Sequence, residues 1–274
     1  MSAAAQFDVQ EVSPSYWRVT FSNGAINLID ADTLDQLAEL ITRIEEAPDL
    51  TVVVFRSARP DFFMAHWDML ADTARVAAMS PAASGLHPYA DNLYRLARVP
   101  ALTVSEIAGR TRGAGSEFVL ATDVRFAGPG AVLGHFEVAI GSVPGGNPSG
   151  RLARLLGRGR ALEVLLGADD FPADLAARYG YVNRVLPEDR LEDFVDGFAR
   201  RVAGFDKVAV RQAKALVDAV TEPPVEEFAA SLAAFFRTSG RPENSARVKR
   251  LFDAGLQQPD GVERDLGRHL GPSS

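Results

Sequence analysis

The sequence predicts an α/β fold, and three observations carry that expectation. Near the N-terminus an alternating run, a periodic helix and a β-branched run follow one another. In the middle, short apolar runs flank glycine-containing turns, and from Glu188 onward the pattern is almost entirely helical.

Tyr16, Trp17, Val19 and Phe21 are spaced by Arg18 and Thr20 ahead of Asn23-Gly24, the pattern of a strand entering a tight turn, and residues 26–29 are expected to continue the sheet. Leu34, Leu37, Leu40, Ile41 and Ile44 fall on one helical stripe, with Asp32 placed as its N-cap and Pro48 beyond its end. Leu50-Thr51-Val52-Val53-Val54-Phe55 suits a buried strand. A loop is expected over 56–68, then a small-residue stretch over 71–85 without regular structure, mobile and placed to line a pocket. A helix over 86–98 ends before Pro100, and a strand over 101–105 leads into a glycine turn. Strands over 123–127 and 131–133 flank Gly128-Pro129-Gly130. Short helices follow at 151–156, 161–166 and 172–179, then a last strand at 181–186 before Pro187. The helical region is broken at Gly204, Pro223-Pro224 and Gly240-Arg241-Pro242, and the polar tail from Gln257 is expected to be loose. The chain thus divides into a core at 1–187, a helical region at 188–256 and a tail at 257–274.

With 274 residues the chain can bury a sizeable core, and a net charge of −7 disfavours general attraction to nucleic acid or anionic membrane. The absence of cysteine removes thiol nucleophiles, disulfides and thiolate metal sites. The four histidines, His66, His87, His135 and His269, show no ligand spacing, so no metal is expected. No apolar run approaches the ~20 residues of a membrane span, and the first residues lack the basic and apolar segments of a signal peptide. The expected location is the cytoplasm.

Two carboxylates stand out. Glu117 follows the turn Gly113-Ala114-Gly115 and opens an apolar helical run, while Glu137 lies in a loop after two short strands. Free backbone N–H groups at such a turn can hold an anion, and paired carboxylates beside them suit proton transfer as charge develops on an oxygen. Glutamate in a first helical turn also complements the helix dipole, so a purely structural role remains open on these residues alone.

Three motifs and a downstream strand resemble the enoyl-CoA hydratase/isomerase, or crotonase, superfamily over nearly the whole chain. Phe62-Phe63-Met64-Ala65-His66-Trp67-Asp68 is similar to its F-x-A-G-x-D loop. Ile107-Ala108-Gly109-Arg110-Thr111-Arg112-Gly113-Ala114-Gly115-Ser116-Glu117 resembles its glycine turn and helix start. Phe136-Glu137 through Gly141-Ser142-Val143-Pro144-Gly145-Gly146 is similar to its P-E-x-x-x-G-x-x-P-G-x-G segment, and Arg178 to Pro187 to its G-L-V-x-x-V-x-P strand.

The resemblance implies a crotonase-type spiral of repeated β-β-α units with a C-terminal helical trimerisation region, assembled as a homotrimer or homohexamer. It implies an acyl-CoA thioester substrate, with no cofactor beyond the coenzyme A that the substrate carries. Glu117 and Glu137 would be the catalytic pair, adding water to a trans-2-enoyl-CoA, and the N–H groups of Ala65 and Ala114 would form the oxyanion hole. Met64, His66, Trp67, Asp68, Gly113, Pro144 and Gly145 would contact the substrate. The alternatives within the family are a double-bond isomerase and a hydrolase or lyase.

Departures from the family pattern fall at His66 and Trp67 in the first motif, at Ala114 in place of glycine, and at Asn147-Pro148. His66 reads either as an extra proton donor or as a partly exposed pocket wall. Arg151, Arg154, Arg158 and Arg160 form the densest basic cluster, which fits a solvated or intersubunit helix face or, more distantly, the RNA binding of a non-enzymatic relative.

Overall fold

Val52, Val53 and Val54 are consecutive and all fully buried, which requires a strand covered on both faces. In the computed structural model, which describes residues 4–271, that strand lies inside a six-stranded sheet. In chain order the elements are β1 (Phe7–Ser13), β2 (Tyr16–Phe21), α1 (Ala31–Glu46), β3 (Val52–Ser57), β4 (Phe62–Met64), α2 (Thr73–Ala77) and α3 (Pro88–Leu96). Next come β5 (Leu102–Ile107), β6 (Arg110–Arg112), α4 (Ala114–Leu120), β7 (Val124–Ala127), β8 (Val132–Gly134), α5 (Pro148–Leu156) and α6 (Arg158–Gly167). The chain ends with β9 (Phe171–Pro172), α7 (Ala173–Tyr179), β10 (Arg184–Val185), α8 (Leu191–Ala203), α9 (Lys207–Thr221), α10 (Val225–Ser239) and α11 (Pro242–Asp253), then two 3-10 turns, Val262–Arg264 and Leu266–His269.

The larger sheet runs β1-β2-β3-β5-β7-β10 and the smaller β4-β6-β8-β9. Successive strands therefore alternate between sheets: β3 and β4, β5 and β6, β7 and β8 each place one strand in each layer before a helix follows. That is the expected β-β-α spiral. Val52 pairs with Leu102, and Val104 with Val124, in parallel register. Because side chains alternate along a strand, Val53 and Phe55 enter the main core while Val52 and Val54 pack under Leu191, Val195 and Ala199 of α8.

The helices at the expected breaks are all present, but several local expectations are corrected. The cap of α1 is Asp30, not Asp32: its Oδ1 accepts from Thr33 N–H at 2.8 Å while the Thr33 hydroxyl accepts from Asp30 N–H at 3.0 Å. Residues 26–29 do not extend the sheet, because Asn27 adopts a left-handed φ of 56° and spends its buried side chain on Ser57 and on the Phe62 and Phe63 carbonyls. The segment 71–85 contains α2, capped by Asp72. The last strand shrinks to β10, with Tyr181 and Val182 buried ahead of it. The tail from Gln257 is packed rather than loose: Val262, Glu263 and Leu266 are all buried. No helix among the described residues is long and apolar enough to cross a membrane.

Candidate active site

The site is assembled where β4, β6 and β8 end side by side. β4 pairs with β6 and β6 with β8, so the loops after them lie against one another. Gly115 packs directly on the Met64 carbonyl and leaves no room for a side chain. Gly113 holds φ at 48°, and a Cβ there would stand 2.9 Å from Glu137 Oε1 and 3.6 Å from His66 Cβ. Only glycine combines that backbone with that space. Ala114, one residue on, begins α4, and the positive φ of this turn falls on Gly113 and not on Ala114.

Glu117 projects from α4 and is 2% exposed. Its Oε1 accepts the Gly146 N–H at 2.8 Å, and its Oε2 accepts the hydroxyl of Tyr89 from α3. A Cβ at Gly146 would collide with the Glu117 carboxylate and with Leu93, which explains the small residue there. Burial raises the Glu117 carboxyl to about 7; the charge of Glu137 adds to this, while His135, Tyr89 and the Gly146 N–H hold it down. Burial, then the charge of Glu117, pushes the Tyr89 phenol well above its ordinary range.

Glu137 lies across the site. Its Oε2 is 3.7 Å from Nδ1 of His135, which is itself buried. Glu137 Oε2 and both ring nitrogens of His135 have no hydrogen-bond partner among the described residues. Donor atoms of Glu117, His135 and Glu137 all fall within 4.8 Å of one another. By size and chemistry that group fits one water or one divalent cation, although the sequence spacing of its members shows no ligand pattern.

The two backbone donors are only half as expected. Ala114 N–H occupies the first position of α4, where a helix supplies no internal acceptor, and it has none among the described residues. Ala65 N–H is not free: it donates to Asn27 O at 3.1 Å and to Ile26 O at 3.3 Å. Two residues later, Trp67 N–H has no acceptor among the described residues, while the groups around it are committed. His66 O accepts from Ile29 N–H at 2.9 Å and Asp68 N–H donates to Ile29 O at 2.8 Å. The available donor of this loop is therefore Trp67, whose ring stands edge-on to Tyr89 at 5.9 Å.

The remaining expected contacts divide. Met64 and Ala114 line a small apolar pocket with Ile29, Leu34, Leu93 and Phe118. Pro144 and Gly145 are set by α10, through Ser231 Oγ donating to Pro144 O at 3.0 Å and Leu232 against Gly145. Asp68 is turned to structure: its Oδ1 accepts from Leu70 N–H and from the Gln257 amide at 2.7 Å. His66 is 1% exposed, so it is not a partly open wall, and both its ring nitrogens are engaged, one by Glu263 and one by the Trp67 carbonyl. Asn147 and Pro148 start α5, Asn147 in a left-handed cap conformation and Pro148 at the first helical position. In the arginine cluster, Arg151 is buried against Glu222, Arg154 pairs with Glu227, and Arg160 stacks on Tyr179. Arg158, the fourth member, is exposed.

Tyr89, His135 and Gly146 escaped the sequence reading. His135 sits two positions before Glu137, and Gly146 within a quoted motif, so both had a signal in their neighbours. Tyr89 lies on a helix without any motif and had none.

A family model described as enoyl-CoA hydratase/isomerase matches residues 12–248. A Streptomyces avermitilis structure, provisionally named an enoyl-CoA hydratase, is 36% identical with a TM-score of 0.93, covering 100% of this chain and 99% of its own. Pseudomonas aeruginosa DspI is 25% identical with a TM-score of 0.73, over 93% of this chain and 92% of that one. An enoyl-CoA hydratase from Mycobacterium avium subsp. paratuberculosis matches in fold, at 22% identity and a TM-score of 0.80, over 92% of this chain and 98% of that one.

Proposed function

The chain belongs to the enoyl-CoA hydratase/isomerase family, and from that premise we propose that it is a hydratase adding water across the 2,3 double bond of a trans-2-enoyl-CoA. The observation that carries this reading is the meeting of the buried Glu117 carboxyl with the largely covered one of Glu137, beside the unpaired ring nitrogens of His135.

In this mechanism the thioester oxygen accepts from the N–H groups of Trp67 and Ala114. Such donors act on the charge that develops in the transition state, and losing one typically costs about 3–4 kcal/mol. Glu137 accepts a proton from the water as its oxygen attacks the β-carbon. The π electrons shift toward the thioester, giving an enolate under the two donors. Glu117, held near neutrality by burial, delivers its proton to the α-carbon. Exchange with solvent then restores both carboxyl groups. Coenzyme A arrives and leaves with the substrate, and Met64, Leu93 and Phe118 form an apolar wall beside Ala114.

An isomerase reading has one observation in its favour: a single carboxyl poised near 7, as Glu117 is, can shuttle a proton between two carbons. The two are separated by supplying purified protein with 2-enoyl-, 3-enoyl-, hydroxyacyl- and branched acyl-CoA thioesters. Formation of 3-hydroxyacyl-CoA from the 2-enoyl substrate supports the hydratase. Double-bond migration without water uptake overturns it.

A further inference from the structure

The residues from Gln257 to Leu266 grip the loop that carries the Trp67 donor. Glu263 is fully buried, and its Oε1 accepts from His66 Nε2 at 2.8 Å and from Gln257 N–H at 2.9 Å. On the other side of the ring, His66 Nδ1 lies 2.7 Å from Trp67 O. A carbonyl oxygen and a carboxylate can only accept, so both ring nitrogens must donate and the imidazole carries both protons. The Gln257 side chain adds two bonds, accepting from Met69 N–H at 2.8 Å and donating to Asp68 Oδ1 at 2.7 Å.

The same tail reaches the second donor. Arg112, 1% exposed and two residues before Ala114, donates to Glu263 O at 3.0 Å and holds Asp170 with both Nε and Nη2, at 2.6 and 2.8 Å. Two cations, His66 and Arg112, and two anions, Glu263 and Asp170, thus form one neutral chain of bonds, buried except at Asp170. It spans from the loop after β4 to the strand before Ala114. Local sequence does not require such a chain, since Glu263 lies 197 positions from His66.

We propose that His66 and Glu263 are positioning residues for the oxyanion hole, through which the C-terminal tail fixes the peptide planes on either side of Trp67. Their action is on Trp67 and not on the substrate. Of the four polar groups in those two peptides, His66 O is held by Ile29 N–H, Asp68 N–H by Ile29 O and Trp67 O by the imidazolium. Trp67 N–H alone remains, and its direction is therefore set by the other three. This inference rests on the reading of Trp67 and Ala114 as the oxyanion donors.

The test uses the full chain with Glu263→Gln, which keeps the shape and removes the charge. A second variant, His66→Leu with Glu263→Met, replaces the pair by an apolar contact of similar volume, an exchange that folded proteins commonly tolerate. Acetoacetyl-CoA is the probe, because its enolate shares negative charge between the ketone and the thioester oxygen and absorbs in the near ultraviolet. Both variants should bind the enolate roughly tenfold more weakly and lose about ten- to thirtyfold in kcat, with KM changed less than about twofold, as expected for donors mis-aimed rather than deleted. Amide exchange over 62–70, measured without ligand, should speed up in both. Enolate binding and kcat at wild-type level in either folded variant overturn the inference, as does unchanged exchange. A wild-type protein that binds the probe without forming enolate sinks the hydratase reading instead, and the exchange comparison still decides whether the tail holds the loop.

Discussion

Replacing Glu117 by glutamine should sharply lower activity and stabilise the fold, and the stabilisation should depend on pH in a specified direction. Burial beside Glu137 raises the Glu117 carboxyl from 4.5 to about 7. A raised carboxyl retains in the folded state a proton that the unfolded chain releases, so stability declines as pH rises from about 4.5 and the full cost is present above 7. Each pKa unit is worth about 1.4 kcal/mol, which puts the cost on the order of 3 kcal/mol above neutrality and near zero at pH 4. Glutamine carries no such charge. Its oxygen can keep the Gly146 N–H, and its amide can donate to the Tyr89 oxygen, so the contacts re-form with an offset that does not vary with pH. Urea unfolding of wild type and Glu117→Gln at pH 4 and pH 8, at one protein concentration, isolates the pH-dependent part. The variant should gain about 2–3 kcal/mol relative to wild type between the two pH values. The same difference in stability at both pH values would refute the argument that Glu117 is an ionisable group held at a cost.

Glu117→Gln and Glu137→Gln should each lower turnover of a short enoyl-CoA by roughly 10²-fold or more, with the double variant little worse than the poorer single one; steady-state kinetics on the purified variants checks both statements, and full hydration by Glu137→Gln would leave a one-base isomerase. Tyr89→Phe removes a donor that favours the Glu117 carboxylate, so the fall of kcat/KM on the alkaline side should move up by roughly one to two pH units, the equivalent of a charge-assisted hydrogen bond. A pH profile that stays in place, or moves to lower pH, contradicts that role. Leu216, Val217 and Val220 of α9 are 73%, 58% and 80% exposed, an apolar face that supports the proposed trimer or hexamer; light scattering at micromolar concentration should find it, and a monomer removes it.

What could be read from the sequence follows the range over which each feature is determined. Glu117 and Glu137 were legible because the turn before one and the loop around the other are local patterns, and α1, α3 and α8 to α11 because an apolar stripe repeats within each. β4 and β6 are three residues long, too short for any alternation to register. β1 went unread because it is an edge strand whose seven residues are half polar. The expected donor, Ala65 N–H, is already used by the carbonyls of Ile26 and Asn27, brought up by the left-handed turn at Asn27, which no local pattern reveals, and the N–H we propose in its place lies two residues later. His66 was misjudged for the same reason. A histidine's role is set by what faces its two nitrogens, and one of those groups comes from the tail.

Gly113 stands between two buried ionic clusters that differ in one physical respect. On the side of His66, the imidazole, the Arg112 guanidinium and the Asp170 carboxylate are each bonded at short distance, and only Glu263 Oε2 lacks a partner. On the other side, Glu137 Oε2 and both nitrogens of His135 are buried without partners, and Glu117 is held far from its ordinary protonation range. An unpaired buried polar atom costs on the order of 1–3 kcal/mol, so three of them in one place are expensive for a chain selected on stability alone. The satisfied cluster is thus suited to the scaffold role we propose for it, aiming Trp67 and Ala114. On the proposed function the unsatisfied one is where a reacting water and thioester would complete the bonds, so that the difference in saturation across a single glycine would separate the part of this site that holds from the part that reacts.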